Sequence, residues 1–247
     1  TIISSDYLPF VKVLHSSLQR MNKESHLQVL VIDGNPVQAD YLCRLYSLKT
    51  IEKHRLFKEI ERKYAHTSLN HFRWALKPLF MNYLLNNGFT KVIFTDPDLY
   101  FTSDHSFLFE ELDRYNISLT PHWPAIRLPE DEDSLFSVIR GGLFNAGFIA
   151  ANTKSITALD WWAEMCHFKM EQQLLLGIHD DQKYLDIFPI YFDGVHIIRH
   201  KGCNLASWNI KSCKREMVNG RLLINREFEP VFIHFTKDTI ANILNRN

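Results

Sequence analysis

The 247-residue sequence is short of glycine and of cysteine, has no charge excess and contains no long apolar run. Its four cysteines, Cys43, Cys166, Cys203 and Cys213, form no C-x-x-C pair and have no histidines at zinc-finger spacing. That argues against a structural zinc and against a disulfide-rich secreted scaffold, and makes a reducing cytosol the expected compartment. Lys plus Arg total 28 and Asp plus Glu total 28, so no global field draws the chain to nucleic acid or to an anionic membrane, and no nucleic-acid partner is expected. No segment approaches the ~20 apolar residues of a membrane span, and no secretory signal is visible. A cytoplasmic protein without a transmembrane segment is expected, with peripheral attachment to the inner face of the membrane as a variant. Thr1 stands directly in an apolar stretch, the start expected of a trimmed chain that lacks its earlier residues. Repeats, low-complexity segments and the glycine spacing of a phosphate loop are also missing.

With 46% apolar residues, the chain is long enough for one substantial core, and a single domain over residues 1–247 is expected. Ile2-Ile3 reads as a strand, followed by a helix with Pro9 near its first turn. Residues 27–32 form a β-rich run closed by Asp33-Gly34-Asn35-Pro36. Helices are expected at 38–48, 51–64 and 72–86, the last stopped by Asn87-Gly88, and a buried strand at 92–95. Then come a helix at 107–115, a strand at 117–120, a polar loop at 123–140, a strand at 143–151, and helices at 156–170 and 180–188. Val195 to Ile198, a type I′ hairpin at Val218-Asn219-Gly220-Arg221 and Val231 to Phe235 supply β-structure at the end. Alternating strands and helices predict an α/β fold with a mostly parallel central sheet flanked by helices and antiparallel additions toward the C-terminus. Ligands in such sheets bind beyond the carboxyl ends of the strands, where Asp33 and the Asp96 turn fall.

Asp96 and Asp98 are two positions apart just past a buried strand, so both carboxylates can grip one Mg²⁺ or Mn²⁺ that also binds diphosphate oxygens. The competing explanation is a solvated turn. His234, interrupting an apolar run, is either a core histidine or a third metal ligand. Arg73 and Lys77 stand four apart on one predicted helix face, as a diphosphate clamp or as an ordinary solvated face, unless Pro78 opens a new helix. Asn145, within Gly141 to Gly147, offers an amide for sugar hydroxyls. Asp180-Asp181-Gln182 fits a helix start, where acids are favoured by the dipole. Tyr7, Trp123, Trp161, Trp162 and Trp208 are stacking candidates or core, with Trp123 in the polar loop the best exception.

Several motifs occur together in order: Ser4-Ser5-Asp6-Tyr7-Leu8-Pro9, Arg73 to Pro78 (RWALKP), Thr95 to Leu99 (TDPDL), Phe144 to Gly147 (FNAG), Asp181-Gln182, Gly202 to Ala206 with Trp208-Asn209, and His234-Phe235. In this order and spacing the chain resembles the GT-A glycosyltransferases, and among them the retaining family 8 type of bacterial sugar transferases. The resemblance implies Asp96, Asp98 and His234 as ligands of Mn²⁺ or Mg²⁺, and Ser4 and Asp6 at the nucleotide base. It also implies Arg73 and Lys77 near the diphosphate and donor sugar, Asn145 orienting that sugar, and Gln182 on the reacting face of the anomeric carbon, preceded by Asp181. The loop from Cys203 to Trp208 resembles one that closes the site in related enzymes. The family's glycine after the histidine and its downstream lysine are replaced by Thr236-Lys237-Asp238, and Lys237 is the expected substitute for that phosphate contact.

The implied activity is metal-dependent transfer of a hexose from a UDP- or GDP-linked donor to a glycan, lipid-linked or protein acceptor, with retention, as in polysaccharide biosynthesis. The nucleotide-binding half would span about 1–100 and the acceptor-side half about 101–247. A sugar-nucleotide pyrophosphorylase is the rival enzyme class, but it would want a Gly-rich, basic first loop that Ser4 to Pro9 lacks. A non-catalytic glycan-binding module is the other alternative, and the intact Asp96 and Asp98 pair speaks against it.

Overall fold

The computed structural model describes residues 1–34, 43–124, 132–236, 239–240 and 245. The buried pair β1 (Ile2–Ile3) leads through a short turn into α1 (Leu8–Met21), with Pro9 in the first turn, where a missing N–H costs nothing. β2 (Leu27–Val31) pairs in parallel with β1 on one side and with β3 (Cys43–Ser47) on the other, in the register Leu27↔Cys43 to Val31↔Ser47. A helix was expected across 38–48; residues 43–47 are instead this strand, and 38–42 lie outside the described residues. The physical reason is the open edge of β2, whose ladder hydrogen bonds outweigh the weak helical pattern of so short a window.

α2 (Phe57–Tyr64) is shorter than the expected 51–64, because turns occupy the residues before it. α3 (Leu69–Asn86) starts earlier than expected, capped by Ser68, whose Oγ accepts from the His71 N–H at 3.2 Å. Pro78 lies inside this helix and opens no new one, so Lys77 sits mid-helix. β4 (Lys91–Thr95) delivers the chain to Asp96-Pro97-Asp98, and β5 (Leu99–Phe101) follows at once. The helix expected at 107–115 is reduced to α4 (Ser106–Glu110) and a single 3-10 turn.

After β6 (Ile117–Pro121) the expected loop 123–140 contains α5 (Glu132–Gly141), while 125–131 lie outside the described residues. Glu132 and Asp133 at its start and Arg140 in its last turn complement the helix dipole. β7 (Phe144–Asn152) and α6 (Ile156–Phe168) agree with expectation. A small ribbon, β8 (Gln172–Gln173) with β9 (Ile178–His179), comes next. The helix expected at 180–188 is absent: a 3-10 turn at Lys183–Ile187 precedes the single turn α7 (Phe188–Tyr191). Asp180 is held in the left-handed region at φ 45°, which no α-helix start allows, and its partners below explain why. β10 (Val195–Ile197) is followed by the hairpin β11 (Arg215–Val218) and β12 (Arg221–Ile224), with Asn219 at φ 50° and Gly220 at φ 79° as a type I′ turn demands. β13 (Phe232–His234) closes the fold.

The parallel sheet β1-β2-β3 stands beside a mixed sheet ordered β10-β6-β7-β4, in which β7 runs antiparallel to both neighbours. One apolar cluster collects Phe57, Leu76, Phe80, Trp162 and Phe188. A second collects Leu14, Val29, Phe101, Phe148 and Phe232. Phe144, Ala146, Ile149 and Ala151 of β7 join the first cluster, and Phe148 and Ala150 the second. The alternation therefore slips between Ala146 and Phe148, opposite the irregular β6–β7 pairing between Leu119 and Pro121. Such a bulge re-aims side chains, and the residues at the slip include Asn145 and Gly147.

Candidate functional site

β13 pairs antiparallel with β5 so that His234 lies across from Leu99, next to the Asp96-Pro97-Asp98 turn. One ligand atom each from Asp96, Asp98 and His234 fall within 4.8 Å of one another. His234 Nε2 is 3.2 Å from Asp98 Oδ1, a buried oxygen that forms no hydrogen bond beyond this ion-pair contact among the described residues. A carboxylate oxygen buried against a single imidazole is costly unless a further cation offsets its charge. Two carboxylates and an imidazole, with room for other oxygen donors, fit Mn²⁺ or Mg²⁺.

Lys77 is almost fully buried beneath this cluster. Its ammonium lies 3.4 Å from Asp96 Oδ1 and 3.1 Å from Asp181 Oδ2, and donates to the Ala146 carbonyl at 3.0 Å. Burial alone would lower its pKa, but Asp181 and Asp96 outweigh that and raise it, so Lys77 is held as a cation. Burial raises the Asp181 pKa, and Lys77 offsets only part of the rise. Asp181 is fixed from behind by Trp162, whose indole N–H donates to its backbone carbonyl at 2.9 Å. Asp180 accepts from the Gln172 amide at 2.6 Å and lies 3.1 Å from His71 Nε2, contacts that hold its left-handed backbone. Asp180-Asp181 is thus a buried, paired dyad rather than a solvated helix cap.

Asn145 Nδ2 donates to Asn204 Oδ1 and approaches His234 Nδ1, each at 2.9 Å, while its Oδ1 accepts from the Gly147 N–H at 2.6 Å. Gln182 donates to the Gly141 carbonyl at 3.0 Å and accepts from the Ala146 N–H at 3.3 Å. Gly147 has no room for a side chain: a Cβ there would lie 2.6 Å from His234 Cε1 and 3.0 Å from Asp96 Oδ2.

Two cavities meet over these groups. One of about 450 Å³ is lined by residues that include Trp74, His122, Asn145, Gln182, Trp208 and His234. The other, about 270 Å³, includes Tyr7, Asn70, Arg73, Pro97 and Asp98. They share Trp74, Lys77, Asp96 and Thr236. The Arg73 guanidinium lies 4.7 Å over the Tyr7 ring and donates to Asn70 Oδ1 at 2.6 Å.

The fold therefore brings Arg73, Lys77, Asp96, Asp98, Asn145, Asp181, Gln182 and His234 to the two cavities. Ser4 and Asp6 bond to each other at the end of β1 and line neither. Lys237 lies outside the described residues. Trp162 is wholly buried and Trp161 packs edge-on against Phe188. Trp123, the best stacking exception in the sequence, carries Lys201 5.4 Å over its ring and packs with a small cluster around Leu205. Trp208 does line the larger cavity, edge-on to His234 at 5.3 Å and to His122 at 5.6 Å.

Sequence reasoning missed Trp74 and His122. Trp74 carried a signal, one residue after Arg73 on the same helix. His122 carried only its place beyond β6. Its Nδ1 is 2.9 Å from the Gly142 carbonyl, and burial pushes its pKa down to about 4.

No protein-family model matches the chain. The uncharacterized protein YfnD of Bacillus subtilis is 28% identical over 248 residues, covering 98% of this chain and 78% of that protein. Mouse xyloside xylosyltransferase 1, in its apo form, superposes with a TM-score of 0.57 at 14% identity, over 96% of this chain and 97% of its own. Galactosyltransferase LgtC, in complex with donor and acceptor sugar analogs, does so with a TM-score of 0.56 at 15% identity, over 99% of this chain and 91% of its own. Strand order, helical flanks and these superpositions over nearly the whole chain agree: this protein has the GT-A fold of glycosyltransferases.

Proposed function

We propose that the protein is a metal-dependent glycosyltransferase, moving a hexose from a UDP- or GDP-linked donor to a hydroxyl of a glycan, lipid-linked or protein acceptor with retention of anomeric configuration. The observation that carries this reading is the cluster of Asp96, Asp98 and His234, with Asp98 Oδ1 buried against His234 Nε2, set where two cavities join. In this reading the smaller cavity takes the nucleotide, the larger takes the sugar and the acceptor, and Asp96 stands at the diphosphate between them. Residues 1–100 then form the nucleotide-binding half and 101–247 the acceptor-side half.

A bound Mn²⁺ or Mg²⁺ would supply Lewis-acid stabilisation of the diphosphate leaving group. The chain's own residues do the rest. Arg73 adds positive charge at the diphosphate, with N–H groups to spare beyond its bond to Asn70. Lys77, whose ammonium is directed at Ala146, Asp96 and Asp181, orients both carboxylates and balances their charge. Gln182 Oε1 keeps a lone pair free of the Ala146 N–H and faces the anomeric carbon, stabilising its oxocarbenium-like charge. Asp181 sets the floor of the sugar site, and Asn145 orients the sugar through the shared amide network. Ser4 and Asp6 serve the base, and Lys237 the phosphate, once donor is bound.

The test is release of nucleoside diphosphate by purified protein from a panel of UDP- and GDP-hexoses with and without EDTA. Release that requires Mn²⁺ or Mg²⁺ is expected, and full activity in EDTA would sink the metal assignment. An NMR spectrum of the product linkage should show the donor's configuration; an inverted product removes retention alone.

A further inference from the structure

A further cavity, of about 550 Å³, opens on the C-terminal half of α3 and shares no lining residue with the two cavities of the site. One wall is the α3 face that carries Asn82, Tyr83 and Asn86, continued by Asn87 after the helix. The other is the turn segment between β3 and α2, which contributes Lys49, Lys53 and His54. Lys77, at the metal cluster, and Asn86 are on the same helix and about 14 Å apart along its axis.

A fixed polar network backs this cavity. Asp160 of α6 accepts from Asn82 Nδ2 at 2.8 Å and from His54 Nε2 at 3.4 Å. The Leu56 N–H donates to His54 Nδ1 at 3.3 Å, which places the ring proton on Nε2, toward Asp160. Burial lowers the His54 pKa against the pull of Asp160, so the ring adds no charge at neutral pH. Asn82 is buried, and its Oδ1 and backbone carbonyl both accept from Asn86 Nδ2, at 2.6 and 3.0 Å. Asn87 Nδ2 donates to the Tyr83 carbonyl at 2.8 Å. Both exposed asparagines thus spend their N–H groups on α3 itself. Their Oδ1 atoms and the Tyr83 hydroxyl have no partner among the described residues.

Lys49 and Lys53 are exposed and have no carboxylate partner among the described residues. Glu52, between them in sequence, does not line the cavity, and neither does any other described acid. Two free ammonium groups want an anion, while carboxamide oxygens and a phenol want hydroxyl groups. An inorganic anion would use the lysines alone and set its own oxygens against the amide carbonyls. A neutral sugar would leave both cations unused. A sugar that carries a carboxylate or a phosphate engages both sets.

We propose that this cavity is a second binding site, for an anionic saccharide, with Lys49 and Lys53 on its carboxylate or phosphate and Tyr83, Asn86 and Asn87 on its hydroxyls. On the glycosyltransferase reading it would hold part of an acceptor chain away from the reacting end; the binding itself does not rest on that reading.

NMR titration of the isotope-labelled full chain with glucuronate, glucose 6-phosphate, glucose and inorganic phosphate tests it. At least one acidic sugar should shift the side-chain amide signals of Asn86 and Asn87 and the backbone signals around Lys49 and Lys53. It should bind there about tenfold more tightly than glucose or inorganic phosphate, and the tighter of the two acids identifies the anion. Lys49→Ala/Lys53→Ala removes no packing, should fold normally, and should weaken that binding at least ~tenfold. Metal-dependent donor hydrolysis should be the same in this variant as in the wild type, and a wild type without hydrolysis would overturn the transferase reading while leaving this site standing. Failure of both acidic sugars to shift these signals overturns the proposal, as does a lysine variant that binds equally well. Equal binding of inorganic phosphate would reduce the site to a charge contact and overturn it too, and so would shifts confined to the residues around Asp96 and His234.

Discussion

Asn145 Nδ2 and His234 Nδ1 lie 2.9 Å apart, and the same amide bonds Asn204 and Gly147. An amide N–H pointing at Nδ1 makes Nδ1 the acceptor and leaves the His234 proton on Nε2, toward Asp98. A metal at Nε2 needs the opposite tautomer, with Nδ1–H donating outward. Cation binding and the orientation of the Asn145 amide are therefore coupled.

From this coupling, Asn145→Ala is expected to weaken Mn²⁺ binding about 10–100-fold, the usual cost of removing a group that orients a ligand, besides slowing turnover. Titration calorimetry with Mn²⁺ and nucleoside diphosphate reads the first effect. Unchanged affinity would leave Asn145 with the sugar alone.

Asp98→Asn should fold normally and lose metal-stimulated nucleotide binding. The residue is only partly buried and its Oδ1 faces His234 Nε2 at 3.2 Å, so an amide there removes no packing and its oxygen can still accept from that ring. Thermal melts within a few degrees of wild type, with no gain in UDP or GDP affinity on adding Mn²⁺, are the expected pair of results.

Gly147→Ala tests how tightly the site is built. The added methyl would meet His234 at 2.6 Å and Asn145 Oδ1 at 2.8 Å, both held by the network just described. We expect a loss of roughly 1–3 kcal/mol in stability together with loss of metal binding, measured by urea unfolding and calorimetry. A stable, metal-binding Gly147→Ala variant would mean that the network gives way easily.

The reach of the sequence can be judged from these residues. Asp96, Asp98 and His234 were legible because a D-x-D after a buried strand and a lone histidine near the end of an apolar run are local patterns, and β13 pairing with β5 then unites them. The type I′ turn at Asn219-Gly220 and the helix around Lys77 were local in the same sense. Asp180 and Asp181 were misread, because their burial depends on Lys77 and His71, which lie about a hundred residues away, and no local window carries that. β3 was misread as helix because the edge of β2 decides it. α5 was hidden by the charged residues that precede its short apolar face. His122 had no signal beyond a strand end, and its role depends on the Gly142 carbonyl.

Lys77→Met should destabilise the fold by ~3–5 kcal/mol, because it leaves Asp181 buried without its counterion. For a chain of this size that is on the order of 10 °C in melting temperature. The sign with pH follows from the carboxyl. Burial already raises the Asp181 pKa, and without Lys77 it rises further, so the folded state holds a proton that the unfolded state releases. Lys77→Met should therefore recover stability as pH falls from 7 toward 5. Melts across that range, compared with Lys77→Met/Asp181→Asn, which should show no such recovery, provide the check.

His122 sets a second pH effect of opposite sign. Burial, first of all, pushes its pKa down to about 4 from 6.5, aided by the nearby His234 and His179 and opposed by the bond to Gly142. A histidine with a depressed folded pKa is neutral in the native state and charges only on unfolding, so its contribution is intact above pH 6.5 and is lost as pH falls toward 4. The shift corresponds to roughly 3 kcal/mol as an upper figure, since the ring borders a solvent-accessible cavity. His54, His105 and His200 are lowered by burial too and add to this acid slope, while Glu111 and Asp181, raised by burial, work against it. His122→Gln should thus keep most of its neutral-pH stability and flatten the wild-type loss between pH 6.5 and 4 by about one proton's worth, without abolishing it. Urea unfolding at half-unit intervals reads the slope directly, and parallel curves for the two proteins would show that His122 titrates normally in the fold.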